Sequence, residues 1–379
     1  MQVIPAWGSG GVEIETLEMA KAIVAAGGRA LIAAKIKSND KPPSGIPSEI
    51  EFINLPLNTK NPFRILKNVT LLKELIQKEK VTILHARSRA PAWSAYKAAR
   101  SLGVPFVTTY HAAYGSKSVL KTFYNSVMAR GDRVIAISHF IQNHLIQKYQ
   151  SYAWFDSSKI RLIQRGIDLD YFDPSAVSQK RLNHLSESWE IPPSMRLILL
   201  PGRISRSKGH RVVIHALSLM KQTNVMAIFV GSARGHESYR DRLLQEASTL
   251  DLEGRVKWFP PCPDIPAAYK LADVIVCPSL VPEGFGRLMA ESQAMQKPII
   301  ASDCGASSEV IEQGTTGWLI PPNDPAALAQ VLDEVLQLPQ EQLDRMGEIG
   351  RERIKSYFSK ESMTSKTIEV YKEFLNNKI

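Results

Sequence analysis

The sequence predicts an α/β protein of two doubly wound, parallel-sheet, Rossmann-like domains in tandem. Three observations predict it. Short β-rich runs alternate with helical patterns through the first half of the chain. The alternation lapses between about Asp173 and Ser194, in "DPSAVSQKRLNHLSESWEIPPS", and then restarts. The 379 residues are enough for two domains with a core each.

In the first half the strands are "QVIPA", "RALIAAK", "EFINLPL", "VTILHAR", "PFVTTYH", "RVIAIS" and "IRLIQRG". Helical stretches such as "VEIETLEMAKAIVAAG" and "PAWSAYKAARSLG" separate most of them. This order gives a parallel sheet with helices on both faces. The Asp173–Ser194 lapse reads as an interdomain connection with a short helix. The second half brings "RLILLPG", "VMAIFVG", "RVKWFP", "DVIVCPS", "KPIIASD" and "GWLIPP". Late helices follow, one opening with Asp324 as N-cap and Pro325 at the first helical position. Ligands of such sheets bind at the carboxyl ends of strands, so with two sheets the expected site is the cleft between them.

Hydrophobic content of 44% and charged content of 22% fit a soluble globular chain. No apolar run reaches the roughly 18–20 residues of a membrane-spanning helix. The start, "MQVIPAWGSGG", enters a strand and turn with no signal peptide, so a cytoplasmic location is expected. That start is abrupt enough to leave room for further residues of the first strand. Cys262, Cys277 and Cys304 form no CxxC pair, which argues against zinc and a disulfide framework and for reduced, structural thiols. The net charge is +10, unevenly spread. Residues 1–172 hold 23 Lys+Arg and 12 Asp+Glu; the remainder holds 24 and 25. A basic first half points to a polyanionic partner: acidic lipid, phosphorylated glycan or nucleic acid.

Three loops carry chemistry. "WGSGGVE" follows the first strand, and Gly8, Ser9, Gly10 and Gly11 let backbone approach a phosphate or simply make a tight turn. A dinucleotide fingerprint would need glycine where Glu13 stands, and the next strand ends in "AAKIKS" without an acidic residue for a ribose. A dehydrogenase is disfavoured. "PGRISRSKGH" places Arg203 and Lys208 at a strand's carboxyl end, as a diphosphate site or a solvated basic loop. "EGFGRLMAE" runs from loop into helix. The backbone N–H groups of Phe285, Gly286, Arg287 and Leu288 would lie at the helix N-terminus, where an anion is favoured. Glu291, well inside the helix, suits a ribose diol, and Glu283, before the turn, suits the hydroxyls of a sugar beyond the diphosphate. Two glutamates on an ordinary surface helix are the bland alternative.

These residues match a family. "EGFGRLMAE" is similar to the Glu-x7-Glu motif of retaining GT-B glycosyltransferases, specifically family 4 (group 1). "GRISRSKG" resembles the family's Gly-Arg-x4-Lys-Gly loop, "GGVE" its N-terminal glycine loop and "RGIDLDYFDP" its strand-to-linker segment. The resemblance covers essentially the whole chain in order. It implies a GT-B fold, with an acceptor-binding domain over 1–172 and a donor-binding domain over 173–356. The final helix, about Lys360 to Asn376 in a segment 357–379, would pack back on the first domain. It implies that Arg203 and Lys208 neutralise the donor diphosphate, that Glu291 binds the ribose and that Glu283 binds the donor sugar. Gly10 and Gly11 would face the phosphate or sugar. His111 of "TTYHAAYG" matches the family's histidine beside the reaction centre; on its own, a histidine at a strand end is as readily structural.

The loop after "IIASD" departs from the family's Gly-Gly-x-Pro-Glu, with Ala306 and Ser308 at the second Gly and the Pro. Arg165 stands where many members have Asn. The implied reaction is front-face transfer with retention, in which Arg203, Lys208 and the helix N-terminus stabilise the leaving diphosphate and His111 orients the donor. No cofactor is required; a GDP- or UDP-sugar is the donor substrate. Asp168 and Asp170 mimic a metal motif, but they read as a strand-to-linker turn, so no metal is expected.

The basic half should hold the acceptor, with Arg87, Arg89, Lys117 and Lys121 as surface candidates. The segment "KSVLKTFYNSVMAR" spaces Val119, Leu120, Phe123, Val127 and Met128 helically between cations. It reads either as a core-facing helix or as one lying on an anionic inner-membrane surface. The expected acceptor is a cell-surface glycan: lipopolysaccharide core or another lipid-linked saccharide, receiving mannose or glucose. A soluble sugar acceptor and a non-catalytic protein binding through the basic domain are the alternatives. No nucleic-acid module appears, and aromatics do not interleave with the basic residues, so no nucleic-acid partner is expected.

Overall fold

The computed structural model describes residues 1–8, 10–37, 46–115 and 118–375. The chain forms two units, Met1–Gly166 with Lys360–Ile379, and Ile167–Ser359.

The first unit holds β1 (Gln2–Ala6), β2 (Ala30–Lys35), β3 (Ile50–Asn54), β4 (Leu84–Ala86), β5 (Phe106–Tyr110), β6 (Arg133–Ala136) and β7 (Ile160–Leu162). Their order is β3-β2-β1-β4-β5-β6-β7, and every pairing is parallel. The order reverses between β1 and β4. Beyond the carboxyl ends of those two strands lies the switch point where such sheets open to ligands.

The helix Lys360–Leu375 belongs to this unit although it is last in the chain. Met363, Val370 and Tyr371 join a core with Met19, Val107 and Ile135. The Tyr371 hydroxyl lies 2.6 Å from His85 Nδ1, and His85 Nε2 lies 2.7 Å from Thr109 Oγ1. Two residues on, Glu373 accepts from Arg133 at 2.5 Å and from Arg161 at 2.8 Å. Asn376, the expected end of this helix, lies outside the described residues.

The second unit holds β8 (Arg196–Pro201), β9 (Val225–Val230), β10 (Val256–Phe259), β11 (Val274–Cys277), β12 (Ile299–Ser302) and β13 (Trp318–Ile320). They run β10-β9-β8-β11-β12-β13, again all parallel. The reversal falls between β8 and β11. The two loops singled out by their residues therefore leave adjacent strands at the switch point. The helix Pro325–Val335 starts as its sequence predicts, with Asp324 accepting from Ala327 N–H at 2.9 Å.

The units part at Gly166/Ile167, not at 172/173. Ile167 N–H donates to Phe358 O at 2.8 Å, which ties the following turn to the second unit. The Asp173–Ser194 segment is also no loose connection. Arg181 pairs with Asp264 at 2.8 Å, Trp189 stacks on Phe259 at 5.1 Å, and Lys270 donates to the carbonyls of Pro174 and Val177. Ion pairs, carbonyl contacts and one ring stack, all to distant residues, hold it, so its sequence shows little apolar periodicity.

All three cysteines are free thiols, and burial pushes the Cys277 thiol up to about 12.

Gly209 tests the junction of the two loops. Its φ is +72°, and a Cβ there would run into the Pro278 carbonyl. Gly209→Ala should cost roughly 3 kcal/mol, left-handed strain plus the clash, and lower the Tm by roughly 6–12 °C. Gly8→Ala, with open space around it, should leave the Tm unchanged. Calorimetry of both variants checks this.

Candidate active site

In the second unit, Lys208 sits in the single turn Arg206–Lys208 that follows β8. Its Nζ donates to Glu283 Oε1 at 2.6 Å. Ser279 Oγ donates to the same oxygen at 2.7 Å. Burial alone would lower the Lys208 pKa; the Glu283 carboxylate overcomes that and holds it above the ordinary value. The ammonium is thus charged and aimed at the switch point. Arg203, from the same loop, is exposed and has no carboxylate partner among the described residues. Leu280 N–H donates to Ser207 O at 2.8 Å, so backbone as well as side chains joins the two loops.

Glu283 is fixed from behind. Its carbonyl accepts from Ala306 N–H at 3.0 Å, and it forms a bridge with Gly305. Gly305 has φ +72°, and a Cβ there would strike the Glu283 backbone. The glycine this loop needs is the one the sequence keeps; the departures at Ala306 and Ser308 leave the bridge intact.

The helix Arg287–Ala294 begins at Gly286, which has φ +87° and supplies no side-chain cap. Its first N–H groups gather at the positive end of the helix dipole. Phe285 is buried against Phe358 at 5.5 Å, and Leu288 is buried too, so each offers a ligand its backbone N–H only. Glu291 accepts from Tyr269 Oη at 2.9 Å and from Arg287 Nε at 3.1 Å. Its neighbours Ala290, Ser292 and Gln293 are fully buried. This is an inward helix, and the surface-helix alternative fails. Cations and amides here can hold an anion, while two carboxylates with fixed second partners can accept from hydroxyls.

In the first unit, His111 follows β5 directly. Its side chain is 9% exposed, and neither ring nitrogen has a hydrogen-bond partner. Glu15 Oε2 lies 3.9 Å from its Nδ1. Glu15, on the helix Gly11–Ala25, takes the guanidinium of Arg87 on one oxygen and that of Arg165 on the other, with Arg165 Nε at 2.8 Å. Arg87 also donates to Gln2 Oε1 at 3.1 Å. Burial alone would raise the Glu15 pKa; Arg165 and Arg87 more than offset it and hold the carboxyl well below the usual range. Burial lowers His111 to about 3, only partly opposed by Glu15, so the imidazole is neutral.

One expectation needs correction here. Arg87 is not a surface cation for an acceptor: it is 3% exposed and spent on Glu15. Arg165, the departure from the family's Asn, is the second counter-charge of that same carboxylate. Arg89 is half-buried, donating to Asn125 Oδ1 at 2.9 Å and lying 4.0 Å over the Tyr114 ring. Lys121 is exposed, while Lys117 lies outside the described residues. Gly10 caps the first helix at φ −85°, where a Cβ would meet only the tip of Glu13, and Gly11 opens the helix; Ser9 lies outside the described residues. Asp168 accepts from the N–H groups of Asp170 and Tyr171 at 3.2 Å each, making the expected turn.

Sequence reading missed Ser279, Tyr269 and Glu15. Ser279 and Tyr269 carry no signal of their own. Glu15 did carry one, as an acidic residue within a largely apolar helix.

Two family models match the chain: Glycosyltransferase Family 4 over residues 9–171 and Glycosyl transferases group 1 over residues 183–353. A glycosyltransferase from Rickettsia africae is 36% identical, with 99% of this chain and 98% of that one covered and a TM-score of 0.88. The chain belongs to the group 1, family 4 glycosyltransferases. Anabaena HepE, solved with UDP and glucose, is similar in fold at 21% identity, with 98% of both chains covered and a TM-score of 0.83. A D-inositol 3-phosphate glycosyltransferase of Salinispora tropica is 27% identical over 293 residues, 72% of this chain but 59% of that protein's length.

The protein should be acid-labile through His111. Below about pH 6.5 an unfolded histidine takes a proton. The folded one excludes it until about pH 3, so stability falls as pH drops through that window. In His111→Gln the Tm loss between pH 7 and pH 5 should be smaller than in wild type, which melting curves across that range measure.

Proposed function

We propose that this glycosyltransferase moves a hexose, mannose or glucose, from a GDP- or UDP-sugar to a cell-surface glycan acceptor with retention and without a metal. The carrying observation is the convergence of Lys208 and Glu283 at 2.6 Å beside the uncapped start of the Arg287–Ala294 helix, with Glu291 one helix stretch further in. Lys208, Arg203 and the N–H groups from Phe285 to Leu288 hold the diphosphate, Glu291 the ribose, and Glu283 the donor sugar. UDP and glucose in the Anabaena neighbour support that class of donor. His111, neutral, orients the donor; Gly10 and Gly11 face its phosphate or sugar. The anomeric C–O bond to the diphosphate breaks, the acceptor oxygen takes its place on the same face, and the acceptor proton passes to the leaving phosphate oxygen. Cations and helix amides stabilise the charge that develops there.

A thermal-shift panel of UDP, GDP and ADP and their sugar conjugates tests this. One base should raise the Tm selectively in wild type and not in Glu291→Ala, and Lys208→Ala should lose on the order of 10²-fold in kcat. No shift with any nucleotide overturns the reading.

A lipid-linked or lipopolysaccharide-core acceptor is favoured by one face of the first unit. That unit carries 27 Lys+Arg against 13 Asp+Glu. The expected helix divides: Val127 and Met128 are buried in a 3-10 turn, whereas Val119, Leu120 and Phe123 stand out on the helix Val119–Ser126, Val119 at 86% exposure. Phe63, 81% exposed, and Leu66 stand out at the start of the helix Pro62–Lys78. Consecutive residues join the two patches: Ser94 Oγ donates to Ile65 O, and Trp93 Nε1 to Tyr124 O, at 3.0 Å each. Lys60, Arg64, Lys67 and Lys121 flank them, and no acidic residue occurs between Glu51 and Glu74 or between Glu79 and Asp132. An exposed apolar and cationic face of this kind suits an anionic leaflet. Among the described residues no helix is long and apolar enough to cross a membrane. Wild type should co-sediment with phosphatidylglycerol vesicles, and Phe63→Ser with Leu120→Ser should weaken that at least about tenfold. Equal recovery in the supernatant would favour a soluble acceptor.

A further inference from the structure

The second unit holds an arginine groove that the proposed reaction does not use. By composition this unit is slightly acidic, with 20 Lys+Arg against 24 Asp+Glu. Its arginines are mostly spent on carboxylates, as in Arg181–Asp264, Arg196–Asp273 and Arg240–Asp241. Between the helices His210–Leu219 and Glu237–Thr249 the balance reverses. There Arg206, Arg211, Arg242 and His215 line a cavity of about 670 Å³ together with Tyr239 and a single carboxylate, Glu246. That carboxylate is already satisfied, by Arg211 Nε and His215 Nε2 at 2.7 Å each. Neither Arg206 nor Arg242 has a carboxylate partner among the described residues. The Arg206 guanidinium lies 6.0 Å from the Tyr239 ring centre. A second hollow of about 480 Å³ shares the Arg206, Tyr239 and Arg242 wall and reaches Arg203.

Two guanidiniums without counter-charge on one wall repel each other until an anion sits between them, and their planar forks suit a phosphate. The volume exceeds what a bare phosphate fills and lies in the range of small-molecule sites. Its remaining wall carries the Tyr239 ring, Asn323 and the apolar Val212, Leu243, Leu280 and Pro325, a surface for an organic group.

We propose that this groove is a second anion site, which takes a phosphomonoester: the phosphate between Arg206 and Arg242, and the organic part against Tyr239. Neither Lys208 nor Glu283 lines it, and of the residues assigned to the diphosphate only Arg203 is reached, by the adjoining hollow. Its separateness rests on the assignment of Lys208 to the donor.

The test is calorimetric titration with glucose 6-phosphate and with inorganic phosphate. Three proteins are compared: wild type, Lys208→Ala, and Arg206→Ser with Arg242→Ser. Both arginines are exposed, so the double variant should keep the wild-type Tm. Glucose 6-phosphate should bind wild type and Lys208→Ala alike, and the double variant at least about tenfold more weakly. Inorganic phosphate should bind wild type more weakly than glucose 6-phosphate. Nucleotide affinity should be unchanged in the double variant. No binding at about 10 mM would overturn the proposal. So would loss in Lys208→Ala, equal affinity for the two probes, or reduced nucleotide binding in the double variant. If wild type binds no nucleotide, the donor assignment fails while the sugar-phosphate readout of the groove still stands.

Discussion

The candidate donor site depends on one contact between two loops, the approach of Gly209 to Pro278 at the switch point of the second sheet. Adjacent parallel strands bring their carboxyl-end loops side by side, but side by side is not yet in register. The bare Gly209 lets the backbone that carries Lys208 close onto the end of β11. The Ser207–Leu280 hydrogen bond then fixes the distance, and Lys208 meets Glu283. From the far side Gly305 makes the same kind of approach to the Glu283 backbone. One carboxylate is held between two glycine contacts, and the rigidity is backbone rigidity. That suits a site that must hold charge in place rather than perform nucleophilic chemistry.

The first unit solves a different electrostatic problem. Its surface is strongly basic, yet beside the end of β5 it buries a carboxylate with two guanidiniums. A buried Glu15 alone would be costly, as would either arginine alone. Together they make a fixed polar floor under His111. Burial, helped by the charges of Arg165 and Arg87, outweighs the pull of that carboxylate on the imidazole 3.9 Å away and keeps it neutral. The last helix of the chain supports the neighbouring strands through Tyr371, His85 and Thr109. The two units differ in sign: one carries a large cationic excess, and the other, slightly acidic, sets Arg206 and Arg242 without a carboxylate partner in one groove.

The architecture is legible in the sequence alone. Strand and helix alternation is set by local periodicity and turn residues, so seven strands, a break and six strands could be read in order. The sequence also singled out the two loops that meet at the switch point of the second sheet, because their glycines, cations and carboxylates stand at fixed spacing. Tertiary structure decided the rest. Arg87 and Arg89 look alike in "HARSRAP", and only the sheet's switch point makes the first a buried counter-charge. The helical run from Val119 to Met128 has one pattern in sequence, but packing splits it into an exposed half and a buried half. The polar segment after Asp173 reads as a linker because its attachments are long-range ion pairs and stacking, which leave no periodic trace. Long-range partners such as Ser279 and Tyr269 are invisible for the same reason: a hydrogen bond between distant residues exists only once the backbone has placed its ends within about 3 Å.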